Sequence, residues 1–286
     1  MKIKTLRFPL AFIAFLVAHY QFKFVDNDIA FYIVAGVLGV GAMWPLVQLG
    51  IRWKLSRTTP EFNLEKLINK VPKVELGSAD ARLAGLSESL YMVTETTSNA
   101  PECYINSLEI LDLDDQETKK VLGYSIESSW DISNRAEAVQ QIEALITEAD
   151  EEASLTLADV PDVLRTRFQR YLAKYGSTLQ PQGNECMTAY NLIRASWLAR
   201  ATFSCGHLDE PTARAYVEQV GRLIPQHFAS WNDLAVSYLF GFLHWSDFLN
   251  DSALGVMKEY SIRERICGAE LLLCAQNSPF YGKSLR

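Results

Sequence analysis

At 286 residues, 49% of them apolar, the chain is long enough for one large domain or two small ones, and it carries enough hydrophobic side chains for a sizeable core. Its net charge of −7 is unevenly spread: Lys2, Lys4, Arg7, Lys23, Arg52, Lys54 and Arg57 against Asp26 and Asp28 give residues 1–57 a net +5, which leaves −12 for residues 58–286. A body that acidic argues against nucleic acid as a partner, because phosphate-backbone affinity rests on clustered Lys and Arg.

Two apolar segments open the chain. "FPLAFIAFLVAHYQFKF" (8–24) ends its unbroken apolar run near Tyr20, and Lys23 snorkelling outward lets residues 7–24 span a bilayer. A cleaved signal peptide is the rival reading, but no small-x-small site follows the run. "IAFYIVAGVLGVGAMWPLVQLGI" (29–51) holds 23 uncharged residues, where about 20 suffice to cross the hydrocarbon core. Ala11, Ala14 and Ala18 on the first helix and Ala35, Gly39 and Ala42 on the second let the two backbones approach closely. Residues 1–57 therefore read as a transmembrane hairpin inserted in the lipid bilayer through residues 7–51. Basic flanks on both sides and the acidic turn at Asp26 and Asp28 place the N- and C-termini in the cytoplasm. Cys103, Cys186, Cys205, Cys267 and Cys274 form no C-x-x-C pair, and scattered free thiols agree with a reducing compartment.

Residues 58–99 read as a helical connector, with "EFNLEKLINKV" between Pro60 and Pro72 and then "ADARLAGLSESLYMV". Residues 100–286 read as an all-α helical-bundle domain, so the fold class is mainly α. The one strand candidate is "CYINSLEIL" (103–111). A helix begins at Ser133 or Asn134 with Glu137 in a capping box, and buries Val139, Ile142, Leu145 and Ile146. "VPDVLRTRFQRYLAKYG" makes the next and stops at Gly176. After a loop over 177–184, a long helix runs from about Glu185 to Cys205 and ends at Gly206. Asp209 caps its successor with Pro211 in the first turn, and Ala213, Tyr216, Val217, Val220 and Ile224 face the core. Ser230 caps an aromatic helix that buries Trp231, Leu234, Tyr238, Leu239, Phe242 and Trp245. The last helix covers about Ser261 to Gln276.

In "YNLIRASWLARA", Tyr190, Arg194, Trp197 and Ala201 share one helical face, so Arg194 projects among aromatics. It needs a carboxylate, carbonyls or an aromatic face; Asp233 and Asp131 are the expected partners, in an ion pair that fixes helix register. The competing role is a clamp for a carboxylate or phosphate ligand. His207, His227 and His244 are far apart, and only His244 with Asp247 has ligand-like spacing, too little for a metal site. No nucleophile elbow, zincin, P-loop or dinucleotide motif appears, and neither a cofactor nor a catalytic residue is expected.

"WDISNRAEAVQQIEALI", "AYNLIRASWLARATFSCGHLDEPTA" and "SWNDLAVSYLFGFLHW" resemble, in order and spacing, three successive blocks of the bacterial domain-of-unknown-function 1266 family, over roughly residues 120–250. The resemblance implies a compact helical domain and no particular activity. Trp130, Asp131, Arg194, Trp197, Trp231 and Tyr238 match the blocks, and with Asp233 they form the candidate ligand- or partner-binding set. The expected function is a membrane-anchored protein whose acidic domain binds a protein partner, a basic one being its electrostatic complement, with immunity or toxin neutralisation as one form. The alternatives are an enzyme or small-anion sensor with a pocket around Arg194, and a purely structural membrane organiser.

Overall fold

The computed structural model describes residues 60–68, 74–96, 103–110, 116–153, 162–181, 187–248 and 255–285. The chain divides into two units, Met1–Thr59 with Asp251–Tyr260, and Pro60–Asn250 with Ser261–Arg286. The hairpin expected over 7–51 belongs to the first unit and lies outside the described residues. Among the described residues no helix is long and apolar enough to cross a membrane.

The described elements are α1 (Glu65–Ile68), α2 (Ala79–Ser87), α3 (Ser89–Met92) running into a 3-10 turn (Val93–Glu95), α4 (Gln116–Trp130), α5 (Arg135–Ala153), α6 (Asp162–Lys174), α7 (Thr188–Cys205), α8 (Glu210–His227), α9 (Trp231–Phe248) and α10 (Gly255–Cys274). They include no strand. The described part of the strand candidate, 103–110, does not form one: Ser107 makes a single antiparallel bridge to Glu75.

Local chemistry sets the helix ends where the sequence places them. Glu137 N–H donates to Asn134 Oδ1 (3.1 Å), while the Glu137 carboxylate accepts from Ser133 N–H (2.7 Å), so both sides of the α5 start are satisfied. Gly206 closes α7 at φ 86, a left-handed conformation that glycine adopts without a Cβ penalty. Asp209 caps α8 by accepting from Thr212 N–H (2.9 Å), and Asp233 N–H donates to Ser230 Oγ (3.2 Å) at the start of α9. One helix is not legible in advance: α4 buries only Leu122 and Ile126 and leaves Val121 and Tyr124 exposed.

The Asp209 cap gives a pH prediction. Hydrogen bonds from Thr212 and the Arg135 guanidinium hold its carboxyl down at about 2, below the ordinary 3.8. A depressed folded value means that the cap's contribution is complete above the ordinary value and is lost as pH falls toward about 2. Asp209→Asn is expected to flatten that acid limb by removing the carboxylate's contribution at neutral pH, so that variant and native chain converge at low pH, as read from unfolding midpoints across an acid titration.

Helix α7 is the centre of the second unit. Of its 18 residues 14 are buried, and it packs against α2, α4, α5, α8 and α9. A helix buried on all sides is core rather than surface. Close approach elsewhere depends on missing side chains: a Cβ on Gly221 of α8 would meet the Asp80 carbonyl oxygen of α2 at 1.9 Å. Backbone against backbone cannot yield as a flexible side chain can, so the contact outweighs the roughly 1 kcal/mol of helix propensity that alanine would gain. One expected core residue is not there: Trp245 is 38% exposed near the end of α9.

Candidate functional site

The shared face of α7 carries Tyr190, Arg194 and Trp197 into a closed circuit of seven side chains. The Arg194 guanidinium carbon lies 4.7 Å from the Trp130 ring centre and 4.6 Å from that of Tyr190. Trp130 contacts Trp197 (6.4 Å), and Trp197 contacts Tyr91 (5.2 Å). On the far side Tyr190 meets Phe242 (6.2 Å), and Arg265 closes the circuit over Phe242 (4.2 Å) and Tyr91 (5.5 Å). Helices α3, α4, α7, α9 and α10 all contribute. Each cation–ring contact is worth about 0.5–2 kcal/mol, so the circuit ties five helices through modest contacts.

The expected carboxylate partners of Arg194 are not its partners. Among the described residues neither Asp131 nor Asp233 comes within ion-pair distance; Nη1 donates instead to Asn191 Oδ1 (3.4 Å). Asp131 is exposed in a left-handed conformation (φ 54) just past α4. Asp233 sits in the first turn of α9, where the helix dipole favours a carboxylate. The aromatic faces supply the compensation that an anion was expected to give. Trp231 is elsewhere too: it stacks on Phe280 (4.2 Å, 11°) and donates Nε1–H to the Lys283 carbonyl (2.9 Å). Tyr238 does join the assembly, fully buried, with its ring 5.8 Å from Tyr190 and its hydroxyl accepting from Arg265 Nη1 (2.6 Å).

None of the tyrosines is a phenolate partner. Burial pushes Tyr190 up to about 12 against the pull of Arg194 and Arg265, and burial likewise raises Tyr91 and Tyr238. Both guanidinium charges therefore face neutral rings and hydroxyls.

A second arginine, Arg200, lies nearly two turns further along α7. Among the described residues it is the largest fully buried side chain, and its Nη1 donates to the Glu88 carboxylate, which is itself fully buried. Nε donates to the Ser107 carbonyl (2.9 Å) and Nη2 to that of Tyr104, while Ser196 Oγ donates to the second Glu88 oxygen. Burial pushes the Glu88 carboxyl up, and Arg200 and Ser196 pull it back. The only sequence sign is an arginine between Ala199 and Ala201 on a helix with no polar face.

Tyr91, Trp130 and Trp197 also form one wall of a cleft of about 670 Å³, whose other lining includes Glu95, Glu117 and Val121. Val121 is 65% exposed, and Tyr124, one turn further along α4, is 73% exposed. His227 Nε2 lies 3.6 Å from Asp150 and His244 Nδ1 contacts Met187 Sδ (2.6 Å). No group of three or more metal-ligating side chains occurs among the described residues. Burial pushes the Cys103 and Cys205 thiols up to about 11, which leaves them protonated and unreactive near neutrality. Cys186 lies outside the described residues.

No curated protein and no solved structure matches the chain. The model of the family described as "Protein of unknown function (DUF1266)" matches residues 125–283, which takes in α5 to α10, the whole of the Arg194 face and Arg265. The match spans more than half of the sequence, and the chain belongs to the DUF1266 family.

Proposed function

We propose that this is a membrane-anchored bacterial protein, held in the inner membrane through residues 7–51 with both termini in the cytoplasm, whose acidic helical domain captures a basic protein partner. Immunity or toxin neutralisation is one concrete form. The 23-residue uncharged stretch at 29–51 and the basic residues on either side of the hairpin support the anchor. The observation that carries the partner reading is the cleft at α4. There two carboxylates, Glu95 and Glu117, line a recess together with the exposed Val121, and Tyr124 stands exposed one turn further along α4. Exposed apolar side chains rimmed by charge of one sign mark a surface for a partner of the opposite sign. The net charge of −12 over residues 58–286 would speed its approach at low salt.

A photo-crosslinking residue placed at Tyr124 of the full-length protein in living cells tests the reading. The expected result is one adduct, recovered with the membrane fraction, to a protein of basic sequence. It should weaken with added salt and disappear in the Glu95→Lys, Glu117→Lys double variant. An equal adduct from Tyr281, exposed in the C-terminal segment, would mark the capture as non-specific, and full-length protein in the soluble fraction would overturn the anchor.

A further inference from the structure

We propose that the α4 cleft is a socket for one arginine side chain of the captured partner, its guanidinium laid against Trp197 and paired with Glu95 and Glu117. The proposal rests on the capture reading and names what the partner inserts.

The case starts from the three rings of the cleft wall. Two of them already carry a guanidinium: Arg194 lies 4.7 Å from the Trp130 ring centre, and Arg265 lies 5.5 Å from that of Tyr91. Trp197 stands between them, in contact with both rings, half-buried and with no cation over it among the described residues. Indole is the best of the aromatic faces for a cation, so the strongest ring of the wall is the unused one.

Charge selects the occupant. Every charged side chain among the described lining residues is a carboxylate, Glu95 at the end of the 3-10 turn and Glu117 in the first turn of α4. Neither Arg194 nor Arg265 lines the cleft. The field of Glu95 reaches the buried end, where burial first and that charge second push the Cys103 thiol up to about 11. The arginines on the neighbouring rings oppose a third cation, so Trp197 alone would not hold one. The two carboxylates offset them.

Shape favours arginine over lysine. A guanidinium is planar and stacks on an indole while its edges offer five N–H donors, here to the carboxylates and to Ser125 and Ser129 in the same lining. An ammonium is compact, more strongly hydrated and cannot stack. At about 670 Å³ the cleft exceeds what one such side chain fills, and Met92, Ile110 and Leu122 make the remainder apolar. The arginine therefore arrives with an apolar neighbour from its own chain segment, not as a free small cation.

The test titrates the purified full-length protein by calorimetry with the capped tripeptide acetyl-leucyl-arginyl-leucinamide. Two control peptides carry lysine, or citrulline as the uncharged isostere, in place of the arginine. The arginine peptide should bind about tenfold tighter than the lysine one, and the citrulline one should not bind. Glu95→Gln combined with Glu117→Gln should abolish binding, and Trp197→Leu should weaken it about tenfold. The socket is overturned if citrulline or lysine serves as well as arginine, or if either variant binds with unchanged affinity. Ethylguanidine binding as tightly as the peptide would overturn the chain-borne occupant. Should Trp197→Leu fail to fold, the glutamine pair decides alone. A Tyr124 adduct in cells with no peptide binding sinks the socket only, whereas peptide binding with no adduct sinks the capture reading only.

Discussion

Arg200→Ala is expected to lower stability by about 4 kcal/mol, the largest effect of any single polar substitution in the domain. The variant leaves Glu88 buried without its cation and strips the donors from the Ser107 and Tyr104 carbonyls. A buried ion pair is a weak source of net stability when intact, because desolvation offsets its attraction, yet removing one member is severe. The double variant Arg200→Met, Glu88→Leu separates these effects. It restores volume and removes both charges, but the two carbonyls stay unsatisfied at about 1–3 kcal/mol each, so only part of the loss returns. Denaturant midpoints by far-UV circular dichroism, at unchanged slope, provide the comparison. Equal stability of the single variant and the native chain would refute a central structural role for the pair.

Trp231→Ala should come next, at about 3–5 kcal/mol, the usual range for emptying a large aromatic site. The indole is 8% exposed, stacks on Phe280 and donates to the Lys283 carbonyl, so one side chain fastens the C-terminal segment to the first turn of α9. Phe280→Ala is expected to lose nearly as much. The double variant should cost clearly less than the sum, because the two rings share a single contact. Limited proteolysis gives an independent readout, with new cleavage after Lys283 in either variant.

How far the sequence could be read depended on whether a signal was local. Helix α8 was legible because its cap, its first-turn proline and its buried row lie within one stretch: Asp209, Pro211, then Ala213, Val217, Val220 and Ile224. Helix α4 was not, since a buried pair at i and i+4 beside exposed Val121 and Tyr124 leaves no apolar stripe to detect. The site divides in the same way. Helical spacing alone put Arg194 among aromatics, and Tyr190 and Trp130 are where that argument requires them. Choosing its partner required knowing which helix ends face α7, and both expected aspartates proved to sit at helix boundaries where backbone groups govern them. Arg200 and Glu88 are 112 positions apart, and nothing in either neighbourhood announces the other. Arg265 is equally silent, since nothing in the residues around it points to Phe242 or Tyr91.

The grip of Arg200 on residues 103–110 also bears on how the domain opens. That stretch has no helical ladder, and its ends are secured by Cys103 N–H on the Lys66 carbonyl and Ile110 N–H on Ser204 Oγ. With two of its carbonyls chelated by one guanidinium rooted in the central helix, it has no low-energy route to fray separately. Deuterium uptake at Leu108 and Ile110 should therefore keep pace with the slowest amides of α7, making an irregular loop part of the last cooperative unit to melt.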